Sequence, residues 1–171
     1  YSHNRRSLRS SGRESSFTTT VTIERSDHLS GTLLHICCAP CSIACIDTLR
    51  QEGIEPVGFW YNPNIHPMKE YKMRKNTLVE YAKSIDLKLE IENEYAAEHG
   101  YDQFTSTLFV SPYQNHELMR QICEQMAEKY GVKYLHRDFS PRFREGQDKA
   151  RELGLYMQNY CGCVFTEEDR Y

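Results

Sequence analysis

The chain has 171 residues, 39% of them hydrophobic and 26% charged, with a formal net charge of −3. That is enough chain for one continuous core and too apolar for a disordered segment. The charge excludes a broadly basic nucleic-acid binder, so an RNA partner would have to be met by a local patch or by docking a single nucleotide. No apolar run approaches the roughly 18 residues that span a bilayer.

Residues 1–30 are rich in Ser, Thr and Arg and hold no apolar run of the secretory kind, so they are expected to form a flexible extension. Residues 31–171 are then the folded domain. Thr32 to Cys37 is a short apolar run that predicts a buried strand. A helix follows over Ser42 to Gln51, with Ser42 as N-cap, Ile43, Ile46 and Leu49 on one face, and Gly53 at the C-terminal cap. Val57 to Tyr61 predicts a second buried strand, ended by the turn residues Asn62-Pro63-Asn64. Met68 to Ile85 has the length and spacing of a long helix. Leu87 to Ile91 alternates as a strand, and Gln103 to Phe109 is a fourth.

Asn115 is expected to cap a helix that carries Leu118, Ile122, Met126 and Tyr130 on one stripe and stops at Gly131. Val132 to Leu135 predicts a fifth strand, and Arg144 to Leu153 a last helix. This alternation predicts a single α/β domain with a mostly parallel sheet and helices on both faces. One link does not fit. Only eleven residues separate Ile91 from Gln103, with a short helical patch at Tyr95 to His99, whereas neighbouring parallel strands need a crossover of about a dozen residues or more. Either this pair is not a standard crossover, or a segment is missing from the chain.

Seven cysteines without a secretory signal argue against a disulfide framework, and their placement is uneven. Cys37, Cys38, Cys41 and Cys45 lie within nine residues, Cys161 and Cys163 flank Gly162, and Cys123 stands alone. Ligands of open α/β sheets bind beyond the carboxyl ends of the strands. Cys37 ends the first strand and Cys38 to Cys41 form the turn into the first helix, whose N-terminus favours thiolate. Cys45 and Cys123 read as core or helix-surface residues. Cys161 and Cys163 can grip a metal or close a small strained disulfide. With Cys37 and Cys38 they suffice in number for a tetrahedral zinc or a four-cysteine iron–sulfur cluster.

Tyr61-Asn62-Pro63-Asn64-Ile65-His66-Pro67 follows the second strand at the same mouth. It is either a polar loop with an aromatic ring for base stacking or an ordinary strand-to-helix turn. His66 suits a proton donor or ligand, or simple solvation. Asp138, after the fifth strand, can ligate a metal or cap a helix. There is no Gly-rich phosphate loop, no HExxH and no Ser/His/Asp arrangement.

The sequence resembles the QueH family, the cobalamin-independent epoxyqueuosine reductases. Leu33-Leu34-His35-Ile36-Cys37-Cys38-Ala39-Pro40-Cys41-Ser42 and Gly58-Phe59-Trp60-Tyr61-Asn62-Pro63-Asn64-Ile65-His66-Pro67 carry the likeness. It continues through Glu70-Tyr71, Phe104-Thr105-Ser106-Thr107-Leu108, Arg137-Asp138-Phe139, Gly154-Leu155-Tyr156 and Gln158-Asn159-Tyr160-Cys161-Gly162-Cys163. The resemblance implies a Rossmann-like fold of the HUP and PP-loop kind, and an oxidoreductase that deoxygenates the epoxide of epoxyqueuosine in tRNA. It also implies a 4Fe–4S cluster with an adjacent iron or other divalent ion, ligated in part by Cys37 and Cys38. Cys161 and Cys163 become a redox pair, and Cys41 a further catalytic thiol. Tyr61, Asn62, Asn64, His66, Asp138, Tyr156 and Tyr160 are the expected nucleoside contacts. A cytoplasmic enzyme with an unidentified electron donor and no membrane contact is expected.

The family carries a further CxxC in a segment that this chain lacks near Glu94–Tyr95, where the crossover was already short. Two rival readings are a PP-loop-like ATP-dependent tRNA-modifying transferase and a non-enzymatic zinc-stabilised binding module.

Overall fold

Short apolar runs alternate with longer helical stretches along the chain, and the fold follows that alternation. The computed structural model describes residues 31–91 and 100–158. Residues 1–30, the helical patch at Tyr95 to His99, and Tyr160, Cys161 and Cys163 lie outside the described residues.

The strands are β1 (Thr32–His35), β2 (Pro56–Trp60), β3 (Leu89–Ile91), β4 (Gln103–Ser106) and β5 (Lys133–Tyr134). They pair in parallel in the order β3-β2-β1-β4-β5, with Thr32 opposite both Pro56 and Gln103. The helices are α1 (Ala39–Gln51), α2 (Met68–Ser84), α3 (His116–Tyr130) and α4 (Phe143–Glu152). This is the expected parallel α/β domain. The order reverses at β1, so that the chain moves outward to β3 on one side and to β5 on the other. The mouth of such a fold lies at that reversal, beyond the carboxyl ends of β1 and β4.

Side-chain alternation along β1 and β2 divides the core. Leu34, Ile36 and Trp60 join α1, α2 and α4 in the main cluster, which includes Ile43, Ile46, Leu49, Leu78, Tyr81 and Ala150. Leu33 and Phe59 join Tyr101 in a smaller second cluster, flanked by Val57 and Phe104. Period-2 alternation sends the two sets to opposite faces of the sheet. Helices α1 and α4 pack closely at Gly146, where a Cβ would stand 3.2 Å from the Ala44 Cβ.

Four points of the expected layout are settled. First, α1 begins at Ala39, three residues before the predicted start, and its N-cap is Cys38. Pro40 occupies the first turn, where its fixed φ and missing N–H are tolerated. Ser42 lies inside the helix, with its hydroxyl donating to the Ala39 carbonyl at 2.8 Å. Second, β4 ends at Ser106, and Thr107–Val110 form a 3-10 turn that begins where the Ser106 hydroxyl accepts from the Leu108 N–H at 3.2 Å. Third, Asn115 and Gly131 do cap α3, but its stripe of Leu118, Ile122, Met126 and Tyr130 is at least 40% exposed at every position. Fourth, β3 and β4 are not neighbours, since β2 and β1 lie between them. The crossover rule for adjacent strands therefore does not govern that link. Three strand spacings come to about 14 Å, well within the reach of eleven residues.

Among the described residues, no helix is long and apolar enough to cross a membrane.

Candidate active site

A single cavity wall gathers residues from the carboxyl ends of the three central strands. β1 contributes His35 and, just beyond it, Cys37. β2 leads into Tyr61, Asn62 and Asn64, and β4 into Thr107 and Leu108. Cys41 of α1, Arg74 of α2, Gln147 of α4, and Met157 and Gln158 after α4 also face it. The cavity measures about 480 Å³, within the range of pockets that hold one small ligand.

Three cysteine sulfurs converge at its head. Those of Cys37, Cys38 and Cys41 all lie within 4.8 Å of one another. Local geometry explains the convergence. Cys38 is the N-cap of α1 and takes the Cys41 N–H on its sulfur at 3.4 Å, so cap and first turn draw the two thiols together. Cys37 is 3.9 Å away, sulfur to sulfur. Its backbone N–H donates to the Thr107 hydroxyl at 3.3 Å, and that hydroxyl reaches the Cys37 sulfur at 3.5 Å. The side-chain amide of Gln158 donates to the Cys38 sulfur at 2.9 Å and stands 3.7 Å from that of Cys41.

The three thiols interact closely, and their pKa values are pushed apart. Hydrogen bonds from Cys38 and Cys41 hold the Cys37 thiol well below its ordinary pKa, with Thr107 and the nearby His35 adding to the effect. Burial pushes Cys38 up, and the interaction with Cys37 adds to it. Hydrogen bonding to Cys37 and Cys38, with burial, raises Cys41. Of the three thiols only Cys37, one residue before the cap, is shifted toward the thiolate.

The donor set fits a metal. Sulfur ligands bound at about 2.3 Å in a tetrahedral shell stand about 3.8 Å apart, close to the Cys37–Cys38 separation of 3.9 Å. Soft thiolates suit zinc, iron and iron–sulfur clusters. Among the described residues only these three cysteines gather in this way. Cys45 is buried one turn on, with its thiol donating to the Cys41 carbonyl at 3.3 Å, and Cys123 packs half-buried at the edge of the core.

The remaining predicted residues divide by position. Tyr61, Asn62 and Asn64 line the cavity. Asn62 is buried and its amide donates to the Ile36 carbonyl at 2.9 Å, which ties the loop after β2 to the end of β1. His66 is exposed and does not line the cavity. Asp138 also lies off the wall and accepts from the Ser140 N–H at 2.9 Å, which closes a local turn. Tyr156 stands behind the wall, where its hydroxyl donates to the Glu70 carboxylate.

Among the lining residues that escaped sequence reasoning are His35, Arg74 and Thr107. His35 sits mid-pattern at a strand end, with Nδ1 at 3.0 Å from the Ser106 hydroxyl and Nε2 at 3.3 Å from the Tyr61 carbonyl. Arg74 is buried on α2 beside Glu70, with Nε to Oε1 at 2.6 Å. A Glu70/Arg74 spacing of one helical turn was the available signal. Thr107 showed none, since it lay inside the overlong predicted strand.

Thiols massed where a nucleotide-type α/β fold keeps its ligand pocket are suited to thiol or metal chemistry on a bound ligand. Comparison with known proteins narrows that class. The sequence model of the family "Epoxyqueuosine reductase QueH" matches residues 32–95 and 84–169. Similar proteins named epoxyqueuosine reductase QueH include that of Dehalococcoides mccartyi, 32% identical, with the alignment covering 81% of this chain and 93% of the relative. Those of Thermotoga maritima and Haemophilus influenzae are each 30% identical, covering 81% and 86% of this chain and 91% and 76% of theirs. The chain belongs to the epoxyqueuosine reductase QueH family, a family of oxidoreductases. The match to the family model comes in two stretches that meet at residues 84–95. The Dehalococcoides alignment runs over 170 positions but takes in only 81% of this chain, so that relative carries residues with no counterpart here.

Proposed function

We propose that this protein reduces the epoxide of epoxyqueuosine in tRNA to give queuosine. The observation that carries the reading is the convergence of Cys37, Cys38 and Cys41 on a cavity sized for one small ligand, in a chain of this family. The reaction takes up two electrons and two protons. Both C–O bonds of the epoxide give way to one carbon–carbon double bond, and one water leaves.

Cys37, Cys38 and Cys41 are the residues that would hold the metal group, a 4Fe–4S cluster with an additional iron or other divalent ion. When bound, that group supplies single electrons and a Lewis acid for the epoxide oxygen. Cys161 and Cys163 act as the dithiol store, closing a disulfide as two electrons leave, and are recharged by a separate electron donor. Tyr61, at the cavity rim, offers its ring to the base, and Asn64 its amide. Asn62 shapes the loop from its bond to Ile36. His66, Asp138, Tyr156 and Tyr160 complete the proposed nucleoside contacts from outside the described wall. The enzyme works in the cytoplasm. A CxxC-bearing segment of the family is absent at Glu94–Tyr95, a reading supported by the break in the family match and by the surplus length of the relative.

The test is anaerobic reconstitution of the chain, with and without the segment restored, followed by an absorption spectrum and iron, sulfide and zinc counts. Broad absorbance near 400 nm with about four irons and four sulfides, together with turnover of epoxyqueuosine tRNA, is the expected result. Substitution Cys161→Ser then abolishes turnover and leaves the metal content and the fold in place. A colourless protein holding only zinc would replace this reading with the binding-module one.

A further inference from the structure

Gln158 is the one cavity residue whose polar contacts, among the described residues, all go to sulfur. Its amide nitrogen stands 2.9 Å from the Cys38 sulfur and 3.7 Å from that of Cys41. The other end of the same amide, Oε1, is buried with no hydrogen-bond partner among the described residues. Buried amides ordinarily engage both ends. Among the described residues, only the two sulfurs are within hydrogen-bonding reach of the amide and bear on which way it points.

The backbone that carries Gln158 is itself anchored. Two residues earlier Tyr156 donates its hydroxyl to Glu70, whose other carboxylate oxygen takes the Arg74 Nε at 2.6 Å. Leu155 and Met157 pack against the main core. The end of α4 is thus tied to α2, and the tie sets the amide over the thiol centre. Hydrogen bonds to ligand sulfur are one of the levers by which a protein tunes a metal–thiolate centre, because they withdraw charge that the sulfur would otherwise donate to the metal.

We propose that Gln158 is a positioning residue of the metal centre: its side-chain N–H polarises the Cys38 sulfur and sets the electron-donating strength of that ligand, and Tyr156 holds it there through Glu70. The inference rests on the reading above only for the presence of a thiolate-bound metal. It concerns the ligand field and the potential of that metal, not the substrate.

The probe is cobalt(II), bound to the reduced, metal-free full chain, with the sulfur-to-cobalt charge-transfer band read in the near ultraviolet. Gln158→Met keeps the length of the side chain and removes the donor. A sulfur relieved of its hydrogen bond donates more readily, so the band moves to lower energy, and the reduction potential of the iron-loaded protein becomes more negative. Tyr156→Phe loosens the tie and moves both in the same direction by less. A purely structural glutamine would lower the melting temperature in both variants and leave band and potential where they are, which overturns the proposal. Wild-type protein that shows no thiolate-to-cobalt band at all overturns it too. If Gln158→Met does not fold, Tyr156→Phe decides alone. A protein that shows the shifts but no turnover of epoxyqueuosine tRNA keeps this inference and loses the reductase reading.

Discussion

Substitution of Arg74 by Met tests whether the wall of the cavity is built on a buried ion pair. Arg74 and Glu70 lie one turn apart on α2, with side chains 1% and 8% exposed and a contact of 2.6 Å. Methionine keeps most of the aliphatic stem, so the change removes charge and donors more than volume. Glu70 is then left as a buried carboxylate with the Tyr156 hydroxyl on one oxygen. Breaking a buried pair from one side costs about 3–5 kcal/mol. In a chain of this length that corresponds to a fall in melting temperature of roughly 6–20 °C. Urea unfolding of the reduced, metal-free protein gives the free energy without metal release entering the transition. The double variant Glu70→Gln/Arg74→Met recovers most of the loss, because a buried pair exchanged as a whole is often close to neutral. A loss in the single variant below about 1 kcal/mol, the range of solvated surface pairs, would refute the argument.

Other perturbations separate structural from chemical roles. Asn62→Ala leaves the Ile36 carbonyl without its buried donor, and thermal melting records a loss of about 1–3 kcal/mol; unchanged stability would make Asn62 a ligand residue alone. Cys38→Ala removes bound metal, whereas Cys45→Ala leaves the stoichiometry as in wild type, since the Cys45 thiol is turned to the Cys41 carbonyl; metal analysis of the two proteins decides. The Ser140 hydrogen bonds hold the Asp138 carboxyl below its usual value. Its small contribution, under about 1 kcal/mol for so exposed a group, is therefore complete above the unfolded-state value near pH 4 and is lost as pH falls through the folded one. Asp138→Asn makes acid unfolding less steep in that window, and equal acid profiles for variant and wild type would remove this hydrogen bond from the account.

The sheet was legible because its signals are local. Runs such as Leu33-Leu34 and Gly58-Phe59-Trp60, bounded by turn residues, mark strands wherever the chain is read, and the caps Asn115 and Gly131 gave α3 its ends. What failed was set by tertiary context. The apolar stripe of Leu118, Ile122, Met126 and Tyr130 has the spacing of a core face, yet α3 buries none of these side chains. Periodicity reports that a face exists and carries no information about what covers it. Ser42 looked like a cap because sulfur is rarely considered as an acceptor, and Cys38 held that position instead. The thiol cluster was legible in Cys37, Cys38 and Cys41 themselves. Gln158 and Arg74 were not: Gln158 meets Cys38 across 120 residues of chain, and Arg74 reads as a surface cation although its position on α2 is buried.

The central placement of β1 has a consequence for how the molecule opens. Cys37, Asn62 and Thr107 all follow strands that have a neighbour on each side, while the sheet ends in a three-residue β3 and a two-residue β5. Cooperative units at the margin of a sheet open with less free energy than those at its centre. Backbone amides of β5 and α3 should exchange with solvent deuterium far sooner than those of β1 and β2. The edge can then breathe, and α3 detach and return, while the thiols stay in register with the cavity they serve.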